Sequence, residues 1–454
     1  MIRNNKHQEI QQHEVFTLKS LDHKSNKKLL FLNRFQLKFF NLSPGDNVFL
    51  QVGTKKLSVE VAIQGVDSSI TTLYITKDIL KHLSFYQKEP LLLVFNTNRI
   101  IILGPTIGLT ITKKTWDNIE KSDVVKKRAR LALDKGILFY CIRVNSINWV
   151  DNLVEAYSLN PINNMWVKKI IAIPQVIHDR GSSPGPDTVK SYTHRGKAGN
   201  IYWINTTRTF GKWETYQVLS SISETNKYLP ETTLFTIEKL EEYLKKYKYC
   251  YVKDNYGRSG RKVFRVERLG DNYLCKTGGS KVKTWQLIDL ENLAHFLYKT
   301  IGENLILQQR IFLAQIDGSP FDMRVLVQKN KNNNWVITAL NYRIAKPGAI
   351  VTNFAAGAKD VFTMPGEALL HSSLSWNRLE EIALRTVNAM ELSFGSLGEV
   401  GLDVALDMKG KLWLIEANSR PSSIAYREAS TEACKLIFGL PLDYAIYLVR
   451  KNFI

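Results

Sequence analysis

Glu399-Val-Gly-Leu-Asp403-Val-Ala-Leu-Asp-Met-Lys-Gly410-Lys-Leu-Trp-Leu-Ile-Glu416-Ala-Asn418-Ser-Arg-Pro421 is the stretch on which the fold turns. Val400, Leu402, Val404 and Leu406 alternate with Gly401, Asp403 and Ala405, the period of a strand with one buried face. A short turn, Asp407-Met-Lys-Gly410, leads into a second strand. There the alternation puts Leu412, Leu414, Glu416 and Asn418 on one face, with Trp413, Ile415 and Ala417 on the other. If Asp407 and Gly410 close the turn, Asp403 lies opposite Leu414 and shares a face with Glu416 and Asn418. Two carboxylates side by side repel, and burying them is costly unless a cation lies between. Mg²⁺ suits such oxygens, because it takes carboxylates and completes its shell with water and phosphate. These residues alone leave a second reading open, a half-buried hairpin with a polar outer face. A different loop length shifts the register and turns Asp403 to the wrong side.

The chain of 454 residues is long enough for two to four domains, and 44% hydrophobic content provides ample core. Lys and Arg number 62 against 42 Asp and Glu, a net charge of +20 that favours anionic partners without choosing among them. The four cysteines, at 141, 250, 275 and 434, have neither zinc-ligand nor thioredoxin spacing, so free buried thiols are expected. The N-terminus lacks an apolar signal core. The most apolar window, Pro90 to Ile111, is broken by Asn96, Asn98, Arg99, Gly104 and Pro105, so no membrane span is expected. A soluble intracellular protein is the expectation.

Short apolar runs separated by turns fill residues 30–110 and read as a small β-rich domain. Helical periodicity over 123–134, then strands at 136–142 and 169–178, gives an α/β unit. Beyond it, Ile237, Leu240, Leu244 and Tyr247 mark a helix with Thr236 as N-cap. The strand Tyr249–Lys253 runs into Asn255-Tyr-Gly-Arg-Ser-Gly-Arg261 and then a strand at Val263–Val266. A helix over 286–300, a strand from Leu305, a hairpin of 321–328 with 335–344, and a helix from Trp376 precede the opening stretch.

Lys253 at a strand end before Gly257, Ser259 and Gly260 suits phosphate binding, since glycines let backbone N–H groups approach oxygens. An ordinary hairpin turn is the simpler reading of these residues alone, since neither a Walker A nor a G-x-G-x-x-G spacing is present. Asp322 and Arg324 share a face of their strand, as do Asn341 and Arg343 on the next. The arginines point to bidentate recognition of carboxylate or phosphate, or to nothing more than an Asp322–Arg324 surface pair. No G-x-S-x-G elbow, H-E-x-x-H or metal-spaced histidines occur, and His178 reads as structural.

The order of these pieces resembles the ATP-grasp superfamily and, more closely, the YheC/YheD family associated with endospore coats. The carrying segments are Pro174-Gln-Val-Ile-His-Asp-Arg180, Asn205-Thr-Thr-Arg-Thr-Phe-Gly-Lys212-Trp213, Tyr228-Leu-Pro-Glu-Thr232, Phe321-Asp-Met-Arg324 and the closing hairpin. The resemblance implies an α+β protein: an ATP-grasp fold at 205–454, two α+β subdomains gripping ATP, preceded by an α/β pre-ATP-grasp domain at 106–204 and a β-rich domain at 1–105. It implies ATP and two Mg²⁺ as cofactors, with Asp403, Glu416 and Asn418 holding metal. Lys212 and Lys253 would meet the phosphates, Ser259 and Gly260 the loop over them, and Gln308, Gln309, Arg310 and Ile311 the adenine. Arg324, Arg343 and Asn353 would face the γ-phosphate or the acceptor.

The chemistry implied is carboxylate–amine ligation through an acyl phosphate. It implies carboxylate and amine substrates, spore-coat proteins as partners, and a cytoplasmic place in the forespore or mother cell, or in the coat. Two features depart from peptide-ligating relatives. Asn353-Phe-Ala-Ala-Gly357-Ala358 has alanines where those have a basic residue and paired glycines, and basic residues replace an acidic segment after the lysine loop. A nucleotide-binding coat protein without turnover is therefore the alternative. A nucleic-acid binder, suggested by charge alone, ranks third because no helix-turn-helix, zinc or aromatic RNA signature accompanies it.

Overall fold

The structure, a computed structural model, describes residues 15–23, 27–64, 70–83, 92–97, 99–181, 201–257, 262–278, 282–346, 352, 357–422 and 430–453. Of the residues singled out above, Ser259, Gly260 and Asn353 lie outside these. The chain forms two compact units. One comprises Met1–Ile204, Lys331–Asn333 and Phe438–Ile454; the other comprises Asn205–Asn330 and Asn334–Ile437.

In the first unit, seven strands between Val15 and Leu103 close into a barrel. Closure removes the exposed edges that short apolar strands otherwise leave. A six-stranded sheet follows, in which Thr106–Thr110 lies between the parallel strands Leu138–Asn148 and Val176–Asp179. The single strand expected over 169–178 is two. Trp166–Ala172 pairs with Leu153–Leu159 and Val176–Asp179 with Thr106–Thr110, the break falling at Pro174, which has no N–H for a ladder. His178 is buried in this sheet, and burial holds its ring well below the usual imidazole range, so it is neutral.

The second unit carries two sheets. One has the order Thr232–Leu234, Leu305–Gln309, Tyr249–Asp254, Val263–Leu269, Asn272–Thr277, Thr284–Leu287. Three of its strands matter below: β1 (Tyr249–Asp254), β2 (Val263–Leu269) and β3 (Leu305–Gln309). Its core is packed by two amphipathic helices, α1 (Ile237–Tyr247) and α2 (Leu290–Ile301). Thr236 caps the first by accepting from the Lys239 N–H, as expected. The second starts later than 286 because residues 284–287 pair as a strand. Asp289 then takes the N-cap, accepting from the Asn292 N–H at 2.7 Å.

The other sheet contains β4 (Ser319–Lys329), β5 (Trp335–Ile344), β6 (Glu399–Leu406) and β7 (Leu412–Asn418), with Lys359–Thr363 at one edge. Helix α3 (Trp376–Phe394) buries Leu379, Ile382, Ala383, Val387 and Met390 in the core that this sheet shares.

In the hairpin β6–β7, the alternation of β7 changes phase midway. Leu406 pairs with Leu412 and Val404 with Leu414, but Asp403 pairs with Glu416 and Gly401 with Asn418. The extra residue is Ile415, a β-bulge. Leu412, Leu414 and Ala417 therefore enter the core, while Ile415, Glu416 and Asn418 face the opposite side. The expectation that Leu412 and Leu414 share a face with Glu416 and Asn418 is wrong. The turn is one residue wider than assumed, with the Asp407 N–H bonded to the Lys411 carbonyl at 2.9 Å. That shift by itself turns Glu416 away from Asp403, and the bulge brings it back. Asp403 thus stands opposite Glu416, not Leu414.

Candidate functional site

The faces of the two sheets in the second unit that are turned from their cores line one cleft. Lys212, Tyr251, Lys253, Gln308, Gln309, Ile311, Asp322, Arg324, Arg343, Asp403, Glu416 and Asn418 all reach it.

Lys212 opens the helix Lys212–Ser220, whose backbone is tied to the turn after β1. The Asn255 side chain accepts from the Trp213 N–H at 2.8 Å and donates to Glu214 at 3.0 Å. The Lys212 ammonium donates to the Gly257 carbonyl at 2.7 Å and lies 3.9 Å from Glu416. Lys253 follows from the sequence of β1: Cys250 and Val252 enter the core, so Tyr251 and Lys253 face the cleft. The ammonium of Lys253 donates to the side-chain oxygen of Gln308. Burial lowers its pKa to about 8, and Lys212 adds to this, while Glu416 and Asp403 act in the other direction.

The floor is an alternating network of acids and guanidiniums. Asp322 stands opposite Arg343, and Arg324 opposite Asp403, on adjacent strands. Arg343 grips Asp322 with two bonds of 2.7 and 2.6 Å and reaches Asp403 at 3.1 Å. Arg324 binds both oxygens of Asp403, the longer contact being 3.2 Å. Burial alone pushes Asp403 up, but Arg324 and Arg343 outweigh it and hold the carboxyl below the usual range. Asp322 stays raised, chiefly by burial, in spite of Arg343. Both acids hold Arg343 above the ordinary arginine value against its own desolvation. The Asp322–Arg324 surface pair weighed above is not formed: each residue is matched across strands instead.

Gly401 makes the Arg324–Asp403 contact possible. A Cβ there would meet Pro421 at 2.7 Å and the Arg324 Cδ at 3.1 Å. Only a bare backbone lets the arginine lie across it.

Among the residues expected to face adenine, Gln308, Gln309 and Ile311 line the cleft. The side chain of Arg310 is instead stacked on Tyr249 and Phe312, its guanidinium carbon 3.5 and 3.4 Å from their ring centres. Residue-by-residue reading of the sequence also missed Asp322 as the partner of Arg343, Tyr251, and Thr352, which hydrogen-bonds Asp322. The alternation of β1 was the available signal for Tyr251; nothing local marks the other two.

Asp403, Glu416 and Asn418 offer only oxygen and amide donors, the chemistry of Mg²⁺ rather than of a softer metal. Among the described residues no three His, Cys, Asp or Glu side chains converge, so a cation here draws on two carboxylates and the amide. The Asn418 Nδ2 is buried and makes no hydrogen bond. Asp403 already accepts three guanidinium contacts out of about four lone-pair positions. Glu416 is the more open ligand, and the set fits a cation that shares Asp403 with the arginines.

A family described as YheC/D-like ATP-grasp matches residues 200–448. Among curated proteins, the chain is 27% identical over 376 residues to the endospore coat-associated protein YheD of Bacillus subtilis (strain 168), covering 77% of this chain and 80% of that one. It is 24% identical over 353 residues to YheC of the same strain, covering 73% and 94%. Among solved structures, D-alanyl-alanine synthetase A of Vibrio cholerae O1 biovar eltor aligns with a TM-score of 0.46 and 11% identity, over 76% of this chain and 97% of that one. None of the described helices is long and apolar enough to cross a membrane.

Proposed function

The chain belongs to the YheC/D-like ATP-grasp family, and from that premise we propose that it is an ATP- and Mg²⁺-dependent carboxylate–amine ligase of the endospore coat. The observation that carries this reading is the meeting, in one cleft, of Lys212 and Lys253 with Asp403, Glu416 and Asn418. Cations on one wall suit a triphosphate, and hard oxygens on the other suit the ion that accompanies it. The coat association is taken from the names of the two Bacillus relatives.

The substrate carboxylate attacks the γ-phosphorus of ATP, the bond to ADP breaks, and an acyl phosphate forms. An amine, freed of its ammonium proton, then attacks the acyl carbon; inorganic phosphate leaves, and a second proton is lost from nitrogen as the neutral amide forms. Lys212 and Lys253 hold the phosphates. Gln308, Gln309 and Ile311 bound the adenine. Arg324 and Arg343, fixed by their acids, present positive charge where the transferring phosphoryl group develops negative charge, with no reorganisation at the moment of reaction. Glu416, Asn418 and the remaining lone pair of Asp403 are the groups that would hold Mg²⁺, which neutralises phosphate oxygens when bound. Ser259, Gly260 and Asn353 stay assigned by resemblance to the phosphate loop and the acceptor.

Nucleotide-dependent thermal stabilisation that requires Mg²⁺ and disappears in Glu416→Gln tests the site. Phosphate release from ATP, screened over carboxylate and amine mixtures, tests turnover. A second reading, nucleotide binding without turnover, is favoured by the arginines already filling most of Asp403. It is the reading that survives if Mg²⁺-dependent stabilisation occurs and no mixture releases phosphate.

A further inference from the structure

On the cleft side of the second sheet, the charge network stops one strand short of its edge. Asn341 lies beside Arg324 on β5, and Asp360, on the edge strand, lies opposite Arg343. An aspartate facing an arginine across strands ordinarily takes its hydrogen bonds. Here Arg343 is committed to Asp322 and Asp403. Asp360 has the Asn341 amide as its neighbour instead, and burial raises its pKa in spite of that amide and of the arginines nearby. The second oxygen of Asp360, Oδ1, is buried without a partner, and so is the side-chain oxygen of Asn341, a residue 3% exposed. The amide cannot be turned over to cure this, because its oxygen would then face the carboxylate it now serves.

Two buried acceptor oxygens on diagonal neighbours of adjacent strands, both lacking a donor, suit a cation rich in N–H groups. An anion or an apolar group leaves both unmatched. Asn341 lies two strands from Asp403, about 10 Å at the usual strand spacing. That separation accommodates a phosphoryl group, an acyl carbon and an attacking nitrogen in succession.

We propose that Asn341 and Asp360 form the subsite for the amine substrate, which enters as a primary ammonium. Its role as the ligase's amine rests on the function proposed above; the donor-rich cation itself rests only on the two oxygens. The ammonium satisfies both acceptors, and its charge balances Asp360, the acid that the arginines leave without a guanidinium.

The test uses the full chain and thermal melting in ethylammonium chloride or tetramethylammonium chloride at equal concentration, with and without ADP and Mg²⁺. Ethylammonium, which has N–H donors, is expected to raise the melting temperature; tetramethylammonium, which has none, is not. Asp360→Asn is expected to weaken the ethylammonium response at least tenfold, while the ADP–Mg²⁺ shift persists and the unliganded melting temperature holds or rises. Asn341→Leu is expected to do the same; should it fail to fold, the near-isosteric Asp360→Asn decides. Equal responses to the two cations, or an undiminished ethylammonium response in Asp360→Asn, overturn the subsite. A wild-type chain that distinguishes the cations but gives no ADP–Mg²⁺ shift keeps the subsite and sinks the ligase reading instead.

Discussion

Lys253, half-buried, and Arg343, buried, are cations on strands facing the same cleft, and they are handled in opposite ways. Lys253 has an amide as its hydrogen-bond partner, so desolvation prevails and its pKa drops to about 8. Arg343 has two carboxylates, which outweigh the same desolvation and push its pKa up. Removing a cation from water is repaid only by close, well-aligned opposite charge. One wall therefore carries its counter-charges within itself. The other holds an uncompensated amine that an anionic ligand would compensate.

The contrast can be broken most severely at Arg343. Arg343→Met strands the buried Asp322 and strips Asp403 of one of its two guanidiniums, and is expected to cost on the order of 3–5 kcal/mol in urea unfolding. Lys253→Met is expected to leave that stability unchanged or raised, and to weaken nucleotide binding by about 1.5–3 kcal/mol, read by calorimetric titration. Equal destabilisation by the two variants would erase the distinction between the walls. Gly401→Ala should cost about 1–3 kcal/mol, because the new Cβ presses on Pro421 and on the Arg324 stem. The smallest effect is the pH response of Lys253. Its charged form binds phosphate, so nucleotide affinity in the wild type falls as pH rises through about 8. For the unliganded chain the sign reverses. A folded pKa below the unfolded 10.5 means that the charged form is penalised at low pH, so this group's contribution to stability improves from about pH 8 to 10.5. Lys253→Arg should flatten both profiles.

Much of the site was legible because charged residues in apolar strands are conspicuous. Asp403, Glu416 and Asn418 stood out for that reason, and Lys253 through its position after an apolar run. Lys212 was found only through the family resemblance, since its own surroundings mark an ordinary helix start. The pairing of Asp322 with Arg343 rather than Arg324 was illegible. Residues two apart on a strand share a face, but cross-strand neighbours are closer, and the neighbour depends on register. The stacking of the Arg310 side chain is illegible for a related reason: adjacency to Gln308 and Gln309 says nothing of the rings on the other side.

By itself the sequence determined the strand-forming alternation, the cap at Thr236, and the chemical kind of each site residue, because these depend on neighbours a few positions away. The tertiary structure decided the bulge at Ile415 that brings Glu416 opposite Asp403, and which arginine each buried acid holds. It also decided that Asp360 and Asn341 keep acceptors to spare. Those outcomes follow from how strands far apart in the chain are registered against one another, and a shift of a single residue inverts every face.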